Sequence, residues 1–175
     1  MAKPPPHKHG LHDHVACVDR ALSAAETLCA SRELKLTPVR RRVLEIVWRA
    51  HEPLGAYDIL AELAKERDKV APPTVYRALE FLMAAGLVHR IDSLNAFLGC
   101  DAPGHAHVAQ FLVCRACHRV AEIDDPALNR VLAEKSRSMG FHIEPTSLEI
   151  KGLCADCAAA GSAVARSDPA DQQAG

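Results

Sequence analysis

Two cysteine pairs, Cys114/Cys117 and Cys154/Cys157, carry the most specific chemistry in this sequence of 175 residues. A C-x2-C spacing presents two thiolates to one ion from a single tight turn. Two such turns complete a tetrahedron of four sulfurs around zinc. That shell leaves no open position for water or substrate, so the expected role is structural. The 36 residues between the pairs exceed the roughly 15–20 of a simple zinc ribbon, leaving room for a strand, a helix and another strand.

A second set precedes and overlaps the first. His89, Cys100, His107 and Glu122 offer two imidazoles, one thiolate and one carboxylate. Sulfur combined with nitrogen favours zinc over magnesium or manganese, and the thiolate and carboxylate together neutralise a divalent ion. These four residues come from segments that composition alone assigns to different domains, so an ion held among them would set the angle between those domains. Spacing alone leaves the plainer reading open, in which four ordinary polar residues fall in this stretch.

The elements that must position these ligands follow from periodicity. Residues 1–12 read as a disordered tail in which His7, His9 and His12, with His14 just beyond, are solvated or capture metal loosely. From Asp13 the spacing of Val15, Val18, Leu22, Ala25, Leu28 and Cys29 predicts one apolar helical face. Cys17 and Cys29 lack metal spacing and read as small buried residues. Thr37-Pro38 is a helix start, with Val39, Val43, Ile46, Val47 and Ala50 inward and Arg40, Arg41 and Arg42 forming a basic cluster. After a loop from His51 to Gly55, a third helix spans about Ala56 to Lys65.

Pro72-Pro73 opens a fourth helix, with Val75, Leu79, Leu82 and Met83 inward and Thr74, Tyr76, Arg77 and Glu80 outward. Such a helix start, with its positive dipole end and free N–H groups, suits phosphate contact, and Arg and Tyr suit base contact. Gly86 stops the helix, and Leu87–Ile91, a turn at residues 92–95 and a strand returning to Gly99 form a hairpin. Three helices, a fourth and a hairpin make a winged helix.

Beyond a hinge near Leu98 to Asp101, residues 108–113 and 119–123 read as strands. Asp125-Pro126 caps a helix built on Leu128, Val131, Leu132 and Met139, Gly140 ends it, and Phe141 to Ile150 reads as a further strand. A sheet this small with one face on a single helix is marginal alone, so it is expected to pair with a second copy. The fold class is therefore α+β: an N-terminal winged-helix DNA-binding domain over 13–95, a hinge over 96–101, and an α/β dimerisation and metal-binding domain over 102–157. The tail over 158–175 has no core pattern.

Composition bounds the function. The formal net charge is −1 and 49% of residues are hydrophobic, which supplies a core without a strongly basic surface. Residues 1–99 carry 14 Lys/Arg against 12 Asp/Glu and the remainder 7 against 10, so a polyanion would prefer the first half. No export signal or membrane span is read, which points to a reducing cytoplasm where paired cysteines bind metal. No small-molecule substrate or membrane partner is expected.

Leu36-Thr37-Pro38 with Arg40, then Pro73-Thr74-Val75-Tyr76-Arg77-Ala78-Leu79, and the paired C-x2-C turns together resemble the ferric uptake regulator family, most of all its zinc-sensing branch. The likeness runs from about Leu22 to Cys157. It implies a homodimeric, zinc-responsive repressor with two zinc ions per subunit, one structural on Cys114, Cys117, Cys154 and Cys157. The other, regulatory ion is implied on His89, Cys100, His107 and Glu122, and Arg40, Arg41, Thr74, Tyr76 and Arg77 would meet a palindromic operator upstream of zinc-uptake genes. His118 stands where many such proteins have glycine, and Thr146 where several have histidine. His105 and His142 are auxiliary candidates only.

Three rival chemistries compete for these residues. Cys114-Arg115-Ala116-Cys117-His118 matches the C-x-x-C-H haem attachment pattern, but the second cysteine pair and the missing export signal oppose it. A thiol-disulfide oxidoreductase or zinc hydrolase needs an open or redox-active site, and no phosphate loop or nucleophile elbow is present. A non-enzymatic reading is favoured. Within the family, a sensor of iron, manganese, nickel or peroxide is the alternative, and Cys100 tilts the site to zinc.

Overall fold

A computed structural model of the chain describes residues 14–66, 70–104, 109–123, 125–142 and 147–160. Helix α1 (His14–Ser31) buries Val18, Leu22, Ala25 and Cys29 along one stripe. Helix α2 (Pro38–Ala50) starts as the sequence predicts: Thr37 is extended and its side chain accepts the Arg40 N–H at 3.4 Å. Val43, Leu44, Ile46 and Val47 of α2 meet α1 in the core.

The segment expected to be a loop contains a two-residue strand, β1 (Leu54–Gly55). Two residues are too few to show alternation, and the strand exists only because Leu54 and Gly55 pair antiparallel with Phe97 and Ala96. Helix α3 (Ala56–Ala64) follows directly and buries Ile59 and Leu63. Helix α4 (Pro72–Ala84) buries Val75, Ala78, Leu79 and Leu82.

Gly86, at φ 72°, turns the chain out of α4. The Leu87 N–H donates to the Leu82 carbonyl and the Gly86 N–H to Met83, both at 2.9 Å, which satisfies two carbonyls the helix end would otherwise leave open. Strands β2 (Val88–Ile91) and β3 (Ala96–Gly99) then form the wing, joined by a 3-10 turn over Asp92–Leu94 with Asn95 at φ 48°. The sheet order is β1-β3-β2.

The second body is a three-stranded sheet in the order β5-β4-β6. Strand β4 (Gln110–Cys114) pairs antiparallel with β5 (Val120–Ile123) and parallel with β6 (Leu148–Gly152). The parallel crossover carries helix α5 (Pro126–Ser138), whose first turn is capped by Asp125 accepting the Ala127 N–H at 2.8 Å. A short helix, α6 (Ala155–Ala159), ends the described chain.

The last strand differs from expectation. It begins at Leu148 rather than Phe141, because Gly140 (φ 70°) places the Phe141 N–H on the Ser136 carbonyl at 2.8 Å, closing α5. Val131 and Met139, expected inward, are 54% and 81% exposed. Among the described residues nothing covers that side of α5.

Two cores result. The larger joins α1 to α4 with the wing strands; the smaller consists of Ile91 from the wing and Ala109, Phe111 and Val113 from the second sheet, with Leu94, Leu98 and Val120 against them. That smaller core is the junction between the bodies. Among the described residues no helix is long and apolar enough to cross a membrane.

Candidate metal centres and nucleic-acid surface

The β4–β6 register pairs Cys114 with Gly152, so both C-x2-C turns emerge at the same end of the sheet. All four sulfurs, of Cys114, Cys117, Cys154 and Cys157, lie within 4.8 Å of one another. The Cys117 and Cys154 sulfurs are 3.7 Å apart. A Zn–S bond of about 2.3 Å gives a tetrahedron with edges of about 3.8 Å, so the donor set fits zinc.

The surrounding backbone favours thiolate. The Cys154 N–H donates to the Cys114 sulfur at 3.3 Å. With the N–H groups of Cys154 and Cys117 as the main causes, the Cys114 thiol is pulled down to about 6. Cys157 is pushed up to about 12, first by its hydrogen bonds to Cys154 and Cys117, so the cluster without a cation keeps a proton that zinc would displace. Arg119 and Asp156 tie the two turns together at 2.6 Å. His118 takes φ 61°, a left-handed backbone that glycine adopts freely. Its N–H donates to the Cys114 carbonyl at 2.8 Å, which holds it there.

The second donor set spans the junction. His89 lies opposite Leu98 in the wing, and the Cys100 N–H donates to Leu87 at 3.0 Å, so His89 and Cys100 occupy the same face as diagonal neighbours. Glu122 lies opposite Phe111 in the second sheet. The His89 Nε2 and Glu122 Oε1 atoms are 3.9 Å apart, with side chains only 16% and 13% exposed. The His89 ring stands edge-on to Phe111 at 5.4 Å.

Cys100 is 1% exposed, and burial, aided by the charges of Glu122 and Asp101 against one opposing backbone hydrogen bond, pushes its thiol up to about 11. A tetrahedral zinc holds nitrogen and carboxylate ligands about 3.4 Å apart, so His89 and Glu122 fit it after a small closure. His107 and His105 lie outside the described residues, as do His7, His9, His12 and Thr146. His142 is exposed.

Glu149 is the residue that the sequence reading passed over. It flanks Phe111 on the side away from Glu122. Its carboxylate accepts the Asp92 N–H at 2.5 Å and the Ser93 N–H at 3.2 Å, both in the turn of the wing. Burial opposes its charge, but those bonds and Lys151 outweigh burial and hold the carboxyl below its ordinary range. In sequence it is only one charged member of an alternating strand.

The expected nucleic-acid surface is partly remodelled. Tyr76 and Arg77 are exposed on α4 and Thr74 is half-buried. Pro72 and Pro73 carry no N–H and the Thr74 N–H donates to Ala71 at 2.9 Å, so the free backbone donors expected at this helix start are largely absent, and any phosphate contact here would have to come from side chains. In α2, Arg40 stacks on Phe81 with its guanidinium carbon 3.7 Å from the ring centroid and donates to the Lys35 carbonyl at 2.6 Å. Arg41 pairs with Glu26 at 2.8 Å, and Arg42 bridges Glu45 and Glu66. The three-arginine cluster is therefore tied into the fold, with Arg41 its more exposed, weakly held member.

Comparison with known proteins extends this picture. The family model described as "Ferric uptake regulator family" matches residues 31–151. The chain is 35% identical over 139 residues to the zinc uptake regulation protein of Escherichia coli (strain K12), covering 78% of this chain and 80% of that protein. A solved zinc uptake regulator complexed with zinc and DNA superposes with a TM-score of 0.76 at 33% identity, over 82% of this chain and 96% of that one. The holo form of XcZur superposes with a TM-score of 0.72 at 42% identity, over 81% and 99% of the two chains. Its apo form gives 0.50 at 39% identity, over 82% and 99%. With a winged helix, a metal-ready α/β sheet and these similarities, the chain belongs to the ferric uptake regulator family of metal-responsive regulators, and within it is similar to zinc uptake regulators.

Proposed function

We propose that this chain is a zinc-responsive transcriptional repressor that binds operator DNA as a homodimer when zinc occupies His89, Cys100, His107 and Glu122, controlling zinc-uptake genes. The observation that carries the reading is the approach of His89 on the wing to Glu122 on the second sheet, 3.9 Å apart across the junction of the two bodies. The better superposition on holo XcZur than on its apo form supports the same arrangement. Two zinc ions per subunit are proposed, the other on Cys114, Cys117, Cys154 and Cys157.

In this reading residues 13–95 are the reading head, 96–101 the hinge and 102–157 the dimerisation and metal-binding body. Without the ion the head samples many orientations, and two heads rarely sit at the spacing of one operator. With the ion held, Tyr76 and Arg77 reach bases while Thr74, Arg41 and Arg40 serve the backbone, Arg40 chiefly by bracing α2 against α4. Apolar side chains that a single chain leaves exposed, Leu112, Val131, Met139 and Ile150, supply the surface for the second copy.

Operator binding by His89→Ala and Cys100→Ser proteins at buffered free zinc is the test. Each variant is expected to lose at least about tenfold in operator affinity at zinc levels that saturate the parent protein, equivalent to about 1.4 kcal/mol of coupling. Unchanged zinc dependence would remove the hinge site from the account. Restoration of parent-protein binding by iron or manganese as well as by zinc would make the protein a sensor of a different metal.

A further inference from the structure

The junction between wing and second sheet is held by two carboxylates, not one. Phe111, fully buried at its centre, pairs with Glu122 on one side and Glu149 on the other. Glu122 faces His89, a donor of the proposed zinc site. Glu149 is tied to the wing by a different route: it accepts two backbone N–H groups, from Asp92 and Ser93, at the turn that immediately follows β2. Those N–H groups cannot change identity by substitution, and a carboxylate accepting two of them forms the stronger, charge-assisted type of bond.

We infer that Glu149 is a positioning residue for the regulatory zinc site, a metal-independent latch that raises the share of time the wing spends with His89 opposite Glu122 before any ion arrives, without holding it there permanently. The inference rests on the zinc-site reading above and deepens it. The geometry leaves little freedom for an alternative. Only two residues, Arg90 and Ile91, lie between His89 and Asp92, and the two ends of this short strand are fixed to the same sheet across a single phenylalanine. Releasing the turn end lets β2 pivot on the Ile91–Phe111 contact, which swings His89 relative to Glu122. A ligand set that must first be gathered binds more weakly by the fraction of time it is gathered.

The latch separates two effects that an ordinary loss of packing would merge. Zinc supplies the same closure by another route, so a protein lacking the latch closes fully once zinc is in excess. Zinc affinity at the hinge suffers, while operator affinity at saturating zinc does not.

The experiment uses full-length Glu149→Gln and Glu149→Ala proteins beside the parent. Chelator competition is expected to show the hinge zinc bound about tenfold more weakly in Glu149→Ala and less affected in Glu149→Gln, which keeps one acceptor oxygen. Zinc on the four cysteines is retained, and operator affinity at saturating zinc stays within about twofold of the parent. In the protein stripped of hinge zinc, amide hydrogen exchange at Asp92 and Ser93 accelerates in Glu149→Ala. Equal hinge-zinc affinity and equal exchange in all three proteins overturn the latch while leaving the zinc-site reading intact. A parent protein that holds no second zinc overturns that reading, and the exchange measurement then still decides whether Glu149 fastens the wing.

Discussion

Gly99 shows how closely single residues define the junction. A Cβ added there would fall 2.6 Å from the Trp48 ring, so the indole of α2 packs closely against the backbone one residue before Cys100. Gly99→Ala must displace the ring and is expected to cost about 1–3 kcal/mol, read as a lower thermal midpoint, and to weaken zinc binding at the hinge by disturbing Cys100. Trp48 is the only tryptophan of the chain, so its fluorescence should shift in the same variant. The cysteine pairs and the Thr37 cap were legible because their chemistry is local, carried by spacing and backbone propensity. The Trp48–Gly99 contact was not, because nothing in either segment specifies its distant partner.

At the scale of elements, the wing behaves as a lever clamped at its strand and at its turn. Glu149 carries a lowered pKa, so its charged form is the one that the folded chain favours. The sign follows: its contribution is fully present above the ordinary glutamate range and is lost as pH falls through the lowered value. Groups facing it are Asp92 and Ser93 on the turn and Lys151 on its own strand. Amide resonances of Asp92 and Ser93 should therefore be constant near neutral pH and shift together in acid, with a midpoint below that of an exposed glutamate. That joint titration should vanish in Glu149→Gln. Helices α1 to α4 were readable from their apolar stripes and prolines. Strand β1 and the start of β6 were misjudged, since one depends on an edge offered by β3 and the other on the cap that Gly140 imposes on α5.

For the whole molecule, one sheet face is spent on the wing, while among the described residues the opposite face is covered at Gln110 by the start of α5 and is half-exposed beyond it. Leu112 alternates with the buried Phe111 and Val113 and is 44% exposed, and Ile150 beside it is 43% exposed. Leu112→Glu is expected to convert a dimer to a monomer in analytical ultracentrifugation with secondary structure retained. Operator binding should fall at least tenfold, because two reading heads held together bind one operator far better than either alone. A variant that stays dimeric would move the proposed interface elsewhere. The sequence by itself determined helices α1 to α5 and the two cysteine turns, because spacing and capping act over a few residues. Only the tertiary structure decided that His89 meets Glu122, that Arg40 stacks on Phe81 instead of standing free, and that Glu149 grips the wing. Those contacts join segments that lie 33, 41 and about 57 residues apart, and such pairing is selected by the packing of whole sheets and helices, which no local pattern encodes.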